Sequence, residues 1–279
     1  MSVDVKLVKH SKSGGTELIT LEIQLHRFIL PEFNTHRSLS RNFQSSRAVP
    51  IIKLIEQVRD NPAIPVHWGE NQGGMVAEEE VSYYSKVDGR DYWEKAARSA
   101  ADYAQLLAST GLHKQIVNRV LEPFMWTRGV VTGTLDAWQG FIKLRSHVDA
   151  QPEIKVLSDK IKDVVLNSKP DVLAVGQWHL PYINNVGDFS CIKDAIKVST
   201  SCCAQVSYRM LDDSLEKANR IYDMLNLPES GVFKEQPAHM SPCEHVAMAT
   251  NEYFSADELG LCYSESDFGG NFQSNDFFQ

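Results

Sequence analysis

The densest group of chemically active side chains lies in residues 32–47, which read EFNTHRSLSRNFQSSR. Residues 36–47 alone contain three arginines, one histidine and four serines. The planar fork of an arginine suits a phosphate group, and a serine hydroxyl adds a short neutral donor. A helix here would bring four residues onto one face, namely His36, Ser40, Phe43 and Arg47. The segment therefore predicts a site for a phosphorylated ligand, and the alternative interpretation is a solvated polar helix.

Arginines also stand out further along the chain. Arg119 precedes a predicted strand that carries Arg128, and Arg145 ends an apolar helical stretch. Burying an arginine costs free energy unless it faces an anion or a carboxylate. The residues alone therefore favour an ion pair between Arg145 and Glu153, with an anionic ligand as the alternative partner.

A third group, HMSPCEH at residues 239–245, raises the question of a metal site. Its His239, Cys243 and His245 match no strong zinc signature, and no second pair of ligands lies nearby in the sequence. The residues from Ser241 onward are instead typical of the start of a helix, with Ser241 as the N-cap and Glu244 in the first turn. We therefore predict no metal.

Several common catalytic motifs are absent from the sequence. It contains no GxGxxG, Walker loop, GxSxG or HExxH, so a Rossmann enzyme and an ordinary kinase are unsupported. The five cysteines form no CxxC pair, and their odd number favours free thiols in a reducing cytoplasm. None of them lies in a basic setting of the kind that activates a thiol.

Composition limits the class of protein and its partners. The chain has 279 residues, of which 43% are hydrophobic and 23% charged, which is a globular profile. The net charge of −8 argues against a general nucleic-acid binder, whereas the basic excess within residues 1–50 suits a small anion. The sequence has neither an apolar run long enough for a membrane span nor an apolar signal core, so we expect a cytoplasmic protein without membrane contact.

The hydrophobic pattern predicts few strands and many helices, which is typical of a mixed α/β class. VDVKLVK and ITLEIQLHRFIL read as strands around a tight SKSGG turn, and a third strand is predicted at 124–133. Residues 61–75 read as a loop, and residues 77–110 as helix with a break at Asp88-Gly89 and a C-cap at Gly111. Further helices are predicted at 50–60, 135–146, 152–168, 191–208 and 212–226, and the last thirty residues stay unassigned.

Together, three stretches resemble the flavin-dependent thymidylate synthases. THRxxSxNxxSxR at residues 35–47 is similar to the family signature, in which Arg-His-Arg precedes a serine and an arginine. Residues 119–123, 144–145 and 150–154 resemble a later part of the family core. AQVSY at 204–208 and HxSPxEH at 239–245 resemble its usual N-terminal part. Because this last pair comes at the end here, the chain resembles a circularly permuted member, a rearrangement that close termini permit.

The resemblance implies a fold and an activity. The fold would be α/β (α+β), with a central antiparallel sheet flanked by helices in one catalytic domain over residues 1–279. Residues about 55–105 would be a helical insert, and about 250–279 an acidic tail. The resemblance further implies a homotetramer with shared active sites, FAD as cofactor, NADPH as reductant and methylenetetrahydrofolate as one-carbon donor. The reaction would be C5-methylation of a deoxypyrimidine monophosphate, dUMP to dTMP, without a protein nucleophile.

The resemblance also implies roles for individual residues. Arg145 would be catalytic, meeting the pyrimidine ring and stabilising negative charge that develops on N3 and a carbonyl oxygen. The other nucleotide-binding residues would be Glu32, Phe33, Asn34, Phe43, Gln44, Ser45, Ser46, Arg47 and Arg119. Of these, the two serines and the two arginines would hold the phosphate. The flavin-binding residues would be Thr35, His36, Arg37, Thr134, Leu135, Asp136, Gly140 and Ser241.

The chain departs from the family pattern at four of these positions. Thr35 replaces an arginine, Phe43 a glutamate, Glu32 a glutamine, and Gly140 an asparagine or histidine. Since a carboxylate only accepts hydrogen bonds, Glu32 would accept one from a ribose hydroxyl or from the cytosine amine. The alternative is a salt bridge between Glu32 and a nearby arginine. The departures leave two alternatives open: the same fold acting on dCMP or as a hydroxymethylase for modified DNA bases, and a non-catalytic nucleotide-binding relative.

Overall fold

The computed structural model describes residues 1–74, 77–207, 211–225, 241–250 and 277–278. A five-stranded sheet lies at its centre in the order β3-β4-β2-β1-β5. The strands are β1 (Asp4–Ser13), β2 (Thr16–His26), β3 (Ser40–Phe43), β4 (Trp126–Thr134) and β5 (Asp171–Val172). All neighbours pair antiparallel except β1 and β5, which are parallel. The predicted hairpin and third strand are confirmed, and Gly14 provides the positive φ of 53° that its tight turn requires.

A smaller sheet and a set of helices surround this centre. The second sheet pairs β6 (Trp178–His179), β7 (Ala247–Ala249) and β8 (Phe277–Phe278). The helices are α1 (Leu30–Phe33), α2 (Ile51–Asp60), α3 (Tyr83–Ser109), α4 (Lys114–Val117), α5 (Leu135–Arg145), α6 (Pro152–Asn167), α7 (Ile192–Ala204) and α8 (Leu215–Leu225). In the described ranges, none of these helices combines the length and apolarity that crossing a bilayer requires.

The main core forms where α5 and α6 pack against β2. Ile19, Leu21, Ile23 and Leu25 are fully or almost fully buried against Trp138, Phe141, Ile154, Leu157 and Ile161. Burying one such side chain contributes about 1.5–3 kcal/mol. The indole of Trp138 also donates to the carbonyl of Ile19 at 3.1 Å, which fixes α5 on the sheet. Packing of α5 thus determines where its last residue, Arg145, lies.

Two predicted elements near the arginine-rich segment are wrong. The second strand ends at His26 rather than Leu30, because the chain turns into a 3₁₀-helix at Arg27–Ile29 and then into α1. Pro31 fits the first turn of α1, where its missing N–H has no partner to lose. The conditional helix through 36–47 does not form either, since Ser40–Phe43 is a strand that pairs with β4.

Three further differences concern helix boundaries. Helix α3 begins at Tyr83 after the N-cap Ser82, and it continues through Gly89 without a break. A Cβ at Gly89 would lie 3.1 Å from the ring of Trp68, so this glycine permits close packing. Gly111 does follow the helix with the predicted positive φ, 82°. The segment after Ser241 forms only a 3₁₀ turn at Cys243–His245, with no side-chain N-cap, rather than the predicted helix start.

Some predicted features lie outside the described residues. These are the end of the predicted 191–208 helix at Tyr208, the candidate ligand His239, and most of the acidic tail. The described part of the insert consists of α2 and α3 with the loop between them. The two helices share a small core in which Ala97, Ala101 and Ala104 are completely buried.

Arg41 holds the turn that precedes β3. Its Nη1 donates to the carbonyls of His36 at 3.2 Å and Leu39 at 2.7 Å, and its Nη2 donates to the carbonyl of Asn34 at 3.0 Å. Its Nε donates to Asn34 Oδ1 at 3.1 Å. One guanidinium therefore fixes the backbone on both sides of Thr35, since it satisfies acceptors that a turn leaves without partners.

We predict that Arg41→Lys lowers the free energy of unfolding by about 1–3 kcal/mol, because an ammonium group keeps the charge but lacks the planar fork. Urea denaturation followed by circular dichroism measures this loss. The matched control is Arg37→Lys at an exposed neighbouring arginine, which should leave the midpoint unchanged. Equal midpoints for wild type and Arg41→Lys would contradict this role of Arg41.

A chain of buried hydrogen bonds joins the two sheets. Ser11 Oγ bonds to His179 Nδ1 at 2.9 Å, and His179 Nε2 bonds to Thr20 Oγ1 at 2.8 Å. Thr20 continues to Thr132 at 2.7 Å, and Thr132 to His245 Nδ1 at 2.9 Å. Burial lowers the pKa of each histidine to about 3. Both rings are therefore neutral in the folded protein.

A depressed histidine pKa links stability to pH in one direction. The contribution of a neutral buried histidine to the free energy of unfolding is fully present above the pKa of the unfolded-state histidine, about 6.5. It falls as the pH drops below that value. We predict a loss of about 2 kcal/mol for each of His179 and His245 between about pH 7.5 and about pH 5. Chemical denaturation at the two pH values measures this. Between these two pH values, His245→Gln should lose less stability than wild type. His147→Gln, which changes an exposed ring, should lose as much stability as wild type.

Candidate functional site

Arg145 occupies the last position of α5 and is anchored by residues from α1 and the turn after it. Its Nη1 forms an ion pair with Glu32, its Nε donates to His36 Nε2 at 2.8 Å, and its Nη2 lies 3.5 Å from Thr35 Oγ1. The side chain of Arg145 is 16% exposed and that of Glu32 is 27% exposed. The guanidinium is thus fixed in place while part of the pair stays open to a ligand.

His36 completes this group as a neutral acceptor. Desolvation by burial, followed by the charges of Arg145 and Arg41, lowers its pKa to about 4. An imidazole nitrogen that accepts from an arginine carries no proton, so the proton of the neutral ring lies on Nδ1. The ring also packs against Phe141 with 4.7 Å between centroids. The sequence had marked His36 as a flavin contact, and the structure places it beside both Arg145 and α5.

The predicted ion pair between Arg145 and Glu153 is wrong. Glu153 lies in the first turn of α6 and accepts from the backbone N–H of Val66 at 2.9 Å and from Gln151 at 3.3 Å. Its carboxylate therefore ties the loop before α3 to α6. Glu32 is the partner of Arg145, so the salt-bridge interpretation of Glu32 is confirmed.

A second charged group surrounds Glu122. Ser46 Oγ donates to Glu122 Oε1 at 2.7 Å, and guanidinium nitrogens of Arg27 and Arg119 lie 3.7 Å from the same oxygen. The side chain of Arg119 is 60% exposed, whereas that of Arg27 is 21% exposed. The structure therefore brings together Ser46 and Arg119 from the predicted phosphate set and adds a carboxylate and a second arginine.

A pocket of about 470 Å³ opens beside this group. Its lining is polar at Arg27, Asn34, Arg119 and Glu122, and apolar at Phe28, Leu30, Pro31 and Pro123. Asn34 precedes Thr35 in the chain and also bonds to Arg41, so the pocket reaches the turn that anchors Arg145. The lining therefore combines guanidinium donors with apolar side chains.

The other predicted nucleotide residues lie on β3 and the turn that follows it. Ser45 Oγ accepts from the backbone N–H of Arg47 at 3.3 Å, and the side chain of Arg47 is exposed. Gln44 is held by backbone contacts, since its N–H donates to the carbonyl of Arg128 at 2.8 Å and its carbonyl accepts from Thr127 at 3.3 Å. The exposed guanidinium of Arg47 lies on the surface next to this turn.

Phe33 and Phe43 form the hydrophobic support of the site. Phe33 is fully buried, and its ring packs edge-on against Phe43 at 5.4 Å. The ring of Phe43 covers Gly129, where an added Cβ would come within 2.4 Å of it. The aromatic side chain thus requires the glycine on β4. In this chain, position 43 contributes packing rather than the carboxylate of the family pattern.

The predicted flavin residues fall on the turn and along α5. Thr134 is the N-cap of α5 and accepts from the N–H of Ala137 at 3.2 Å, with Leu135 and the exposed Asp136 in the first turn. Gly140 is exposed on the same helix, with open space where a Cβ would be. His36 in the turn contacts Phe141, the residue that follows Gly140 in α5. Ser241 lies in a turn before Cys243–His245, a segment that contacts β3 and β4.

Three residues that the sequence had not singled out as ligand-binding now join the site: Arg27, Glu122 and Arg41. Arg27 follows an apolar strand, and Glu122 stands between the motif residues Arg119 and Pro123, so both were visible as charges in apolar surroundings. Arg27 and Ser46 reach Glu122 from distant parts of the chain, whereas Arg119 is three residues from Glu122 and Arg41 bonds to residues within seven positions of it. No group of three or more metal-ligating side chains occurs among the described residues.

Comparisons with known proteins agree with this architecture. The family model described as "Thymidylate synthase complementing protein" matches residues 6–171, which extend from β1 to β5. The C-terminal motifs lie beyond this match, so the permuted order stays a prediction. No curated protein is significantly similar to the chain.

Solved structures include relatives of similar fold. A UMP/dUMP methylase, PolB from Streptomyces cacaoi bound with 5-Br dUMP, is 17% identical with a TM-score of 0.50. The match covers 59% of this chain and 90% of that one. The flavin-dependent thymidylate synthase of Helicobacter pylori, complexed with FAD and dUMP, is 16% identical with a TM-score of 0.36, covering 53% of this chain and 67% of that one. On the family match, the chain belongs to the thymidylate synthase complementing proteins, the flavin-dependent thymidylate synthases, and is a methyltransferase of that type.

Proposed function

We propose that the chain methylates dUMP at C5 to give dTMP, with methylenetetrahydrofolate as one-carbon donor, FAD as bound cofactor and NADPH as reductant. The observation that carries this proposal is the guanidinium of Arg145, fixed by Glu32 and His36 yet still partly exposed. Family membership supports the same reaction. The decisive experiment is to identify the product formed from dUMP by mass spectrometry in the presence of all three small molecules.

Arg145 would act on the pyrimidine ring by charge. A guanidinium keeps its proton at all physiological pH values, and the Nη hydrogens not used by Glu32 and Thr35 can donate to ring oxygens. As C5 becomes nucleophilic, negative charge moves onto N3 and a carbonyl oxygen of the ring. A donor already fixed in a partly dry site stabilises that charge without reorganising. His36 Nε2 accepts from Arg145 Nε and so holds the guanidinium in place. Because the His36 ring is neutral, it adds no competing positive charge.

The group around Glu122 would hold the phosphate. Arg27 and Arg119 would provide cationic donors beside the Ser46 hydroxyl, and the exposed Arg47 follows Ser46 in the chain. In the absence of a nucleotide, Glu122 balances Arg27 and Arg119. A phosphate brings more negative charge and more acceptors than one carboxylate, so these arginines can turn from Glu122 to the ligand.

The predicted flavin residues fit an anionic, planar cofactor. Arg37 is an exposed cation, and Gly140 lies on an open face of α5, one residue before the Phe141 that contacts His36. Thr35, His36, Arg37, Thr134, Leu135, Asp136, Gly140 and Ser241 would hold FAD. When bound, the flavin supplies the reducing equivalents of the reaction. The protein's own residues would orient the nucleotide and exclude water from around it.

We further propose a cytoplasmic homotetramer in which neighbouring subunits complete each site. The support is the openness of the phosphate group, since Arg119 is 60% exposed and Arg47 is also exposed in the single chain. Neighbouring chains could cover these arginines.

A second candidate function keeps the fold and changes the substrate or the product. The carboxylate of Glu32 beside Arg145 accepts hydrogen bonds, and cytosine presents an amine in the corresponding region of its ring. This observation favours testing dCMP as substrate, and a hydroxymethylated product, alongside dUMP. The same mass measurement separates the cases, because the added group and the base each have a characteristic mass.

We predict that Arg145→Ala lowers kcat at least about a hundredfold while flavin absorption of the purified protein is kept, because charge stabilisation is lost but the cofactor residues remain. The matched control is Arg59→Ala, which removes an arginine whose ion pair with Asp102 lies on the exposed sides of α2 and α3. Steady-state turnover of dUMP measures both variants. Normal turnover of Arg145→Ala would contradict the role of Arg145.

We predict that Arg119→Ala weakens dUMP binding about 10- to 100-fold, because a charge-assisted hydrogen bond to phosphate is lost. Deoxyuridine, which lacks the phosphate, should bind wild type and Arg119→Ala equally well. Calorimetric titration with both ligands measures the difference. An equal loss of affinity for the two ligands would contradict the assignment of Arg119 to the phosphate site.

A further inference from the structure

Helix α3 buries one side against α2 and leaves the other side open. Ala97, Ala101 and Ala104 are completely buried in the core that the two helices share. On the opposite side, the large side chains of Tyr92 and Leu106 are 65% and 61% exposed. Exposed aromatic and apolar side chains on one face are typical of a surface that another molecule covers. Within the described part of the chain, no element covers this face.

The exposed face of α3 follows a heptad pattern along the helix. Residues at the first and fourth heptad positions are all exposed, and they are Ser85, Asp88, Tyr92, Lys95, Ser99, Asp102 and Leu106. Their alternating spacing of three and four residues places them in one line, which we call the α3 seam. The helix has 27 residues and is therefore about 40 Å long, so a second helix of the same length can lie along the seam.

The charges of the α3 seam determine how a second copy of the helix can lie on it. A parallel pair would set Asp88 against Asp88 and Lys95 against Lys95, and such like-charge contacts weaken association. An antiparallel pair centred between Tyr92 and Lys95 avoids both contacts. Its layers combine Tyr92 with the partner's Lys95, which brings an ammonium group to an aromatic ring. They also combine Asp88 with the partner's Ser99, so that a carboxylate can accept from a hydroxyl.

The residues beside the α3 seam favour one register of this antiparallel pair. Asp91 and Arg98 lie on the same flank of the seam and are both exposed. Within the chain, Asp91 pairs with Lys95 at 2.6 Å and Arg98 with Glu94 at 3.2 Å. In the register centred between Tyr92 and Lys95, Asp91 faces the partner's Arg98 twice, once on each side of the two-fold axis. A shift by one heptad would set Arg98 against Arg98 in one direction and Asp91 against Asp91 in the other.

We propose that two copies of the chain associate through their α3 seams, as an antiparallel helix pair with a two-fold axis between Tyr92 and Lys95. The inference names one contact surface of the proposed homo-oligomer, on which it rests, and it does not depend on the reaction. A two-fold contact requires a surface that is complementary to itself, and the seam has this property. Tyr92 and Leu106 contribute buried area, and the contacts of Asp91 with Arg98 determine the orientation.

The test is sedimentation velocity of the full-length protein over a range of concentrations. Asp91→Arg makes both facing positions cationic, and Arg98→Asp makes both anionic. In an equimolar mixture of these two variants, one chain is cationic and the other anionic at the contact. Tyr92→Ala removes the central ring, and its matched control is Tyr83→Ala, which removes a 75% exposed tyrosine outside the seam. Circular dichroism melts check that each variant is folded.

We expect Asp91→Arg, Arg98→Asp and Tyr92→Ala each to weaken self-association at least about tenfold. The first two changes bring like charges together, and the third removes buried area. The mixture of Asp91→Arg with Arg98→Asp should associate within about threefold of wild type, because opposite charges face each other again. Tyr83→Ala should associate as wild type does.

A mixture that associates no better than either charge variant alone would overturn the inference, because a defect within one helix cannot be repaired by another chain. Self-association that the three seam variants leave unchanged would overturn it as well, and the proposed homo-oligomer would then use other surfaces. A wild type that stays monomeric would overturn both the inference and the homo-oligomer. Failure of the proposed reaction is measured separately, as the absence of a C5-methylated product from dUMP.

Discussion

A positive charge at the end of α5 needs partners, and much of the site is arranged around this need. Arg145 is mostly buried, and removing a guanidinium from water is costly unless its donors find acceptors. Glu32 neutralises its charge, His36 accepts from its Nε, and Thr35 lies near its remaining nitrogen. All three partners come from a short stretch between β2 and β3. That stretch must therefore keep one conformation for Arg145 to keep its own.

The packing beneath the site provides this constraint. Trp138 fixes α5 on β2 through a hydrogen bond to the Ile19 carbonyl, and Phe141 of the same helix contacts the ring of His36. Arg41 fixes the turn from the other side by saturating its carbonyls. Helix and turn are thus connected through rigid, buried groups on both sides, which is the condition for precise positioning of charged donors.

Charge is balanced locally in both charged groups of the candidate site. Arg145 faces Glu32, and the arginines 27 and 119 face Glu122. Each pair contains a cation suited to a ligand and a carboxylate that neutralises it when the ligand is absent. Under the proposed function, the carboxylates would limit what binds, since a ligand would have to replace them or carry a donor for them. The two groups would then combine affinity for an anionic nucleotide with selection against unsuitable ones.

The sequence by itself determined the family and most of the elements, and it predicted the residue types of the site. Alternation marked the β1–β2 hairpin, apolar periodicity marked α2, α5 and α6, and the THR…S…N…S.R spacing marked the arginine-rich turn as the place of the chemistry. These signals are local, because strand and helix periodicity and short motifs are contained within a few consecutive residues. Boundaries that depend on distant packing were wrong, as at Gly89, where Trp68 fills the space beside a continuous helix.

Only the tertiary structure decided which charges pair. From the sequence, Glu153 was the predicted partner of Arg145, yet α6 turns it toward Val66, and Glu32, more than a hundred residues away in sequence, takes its place. Likewise Ser46 meets Glu122, and Asn34 meets Arg41, through the pairing of β3 with β4 and the turns at its ends. Ion pairs depend on distances in space, and the sheet register and helix packing that set those distances follow from the whole core rather than from any one segment.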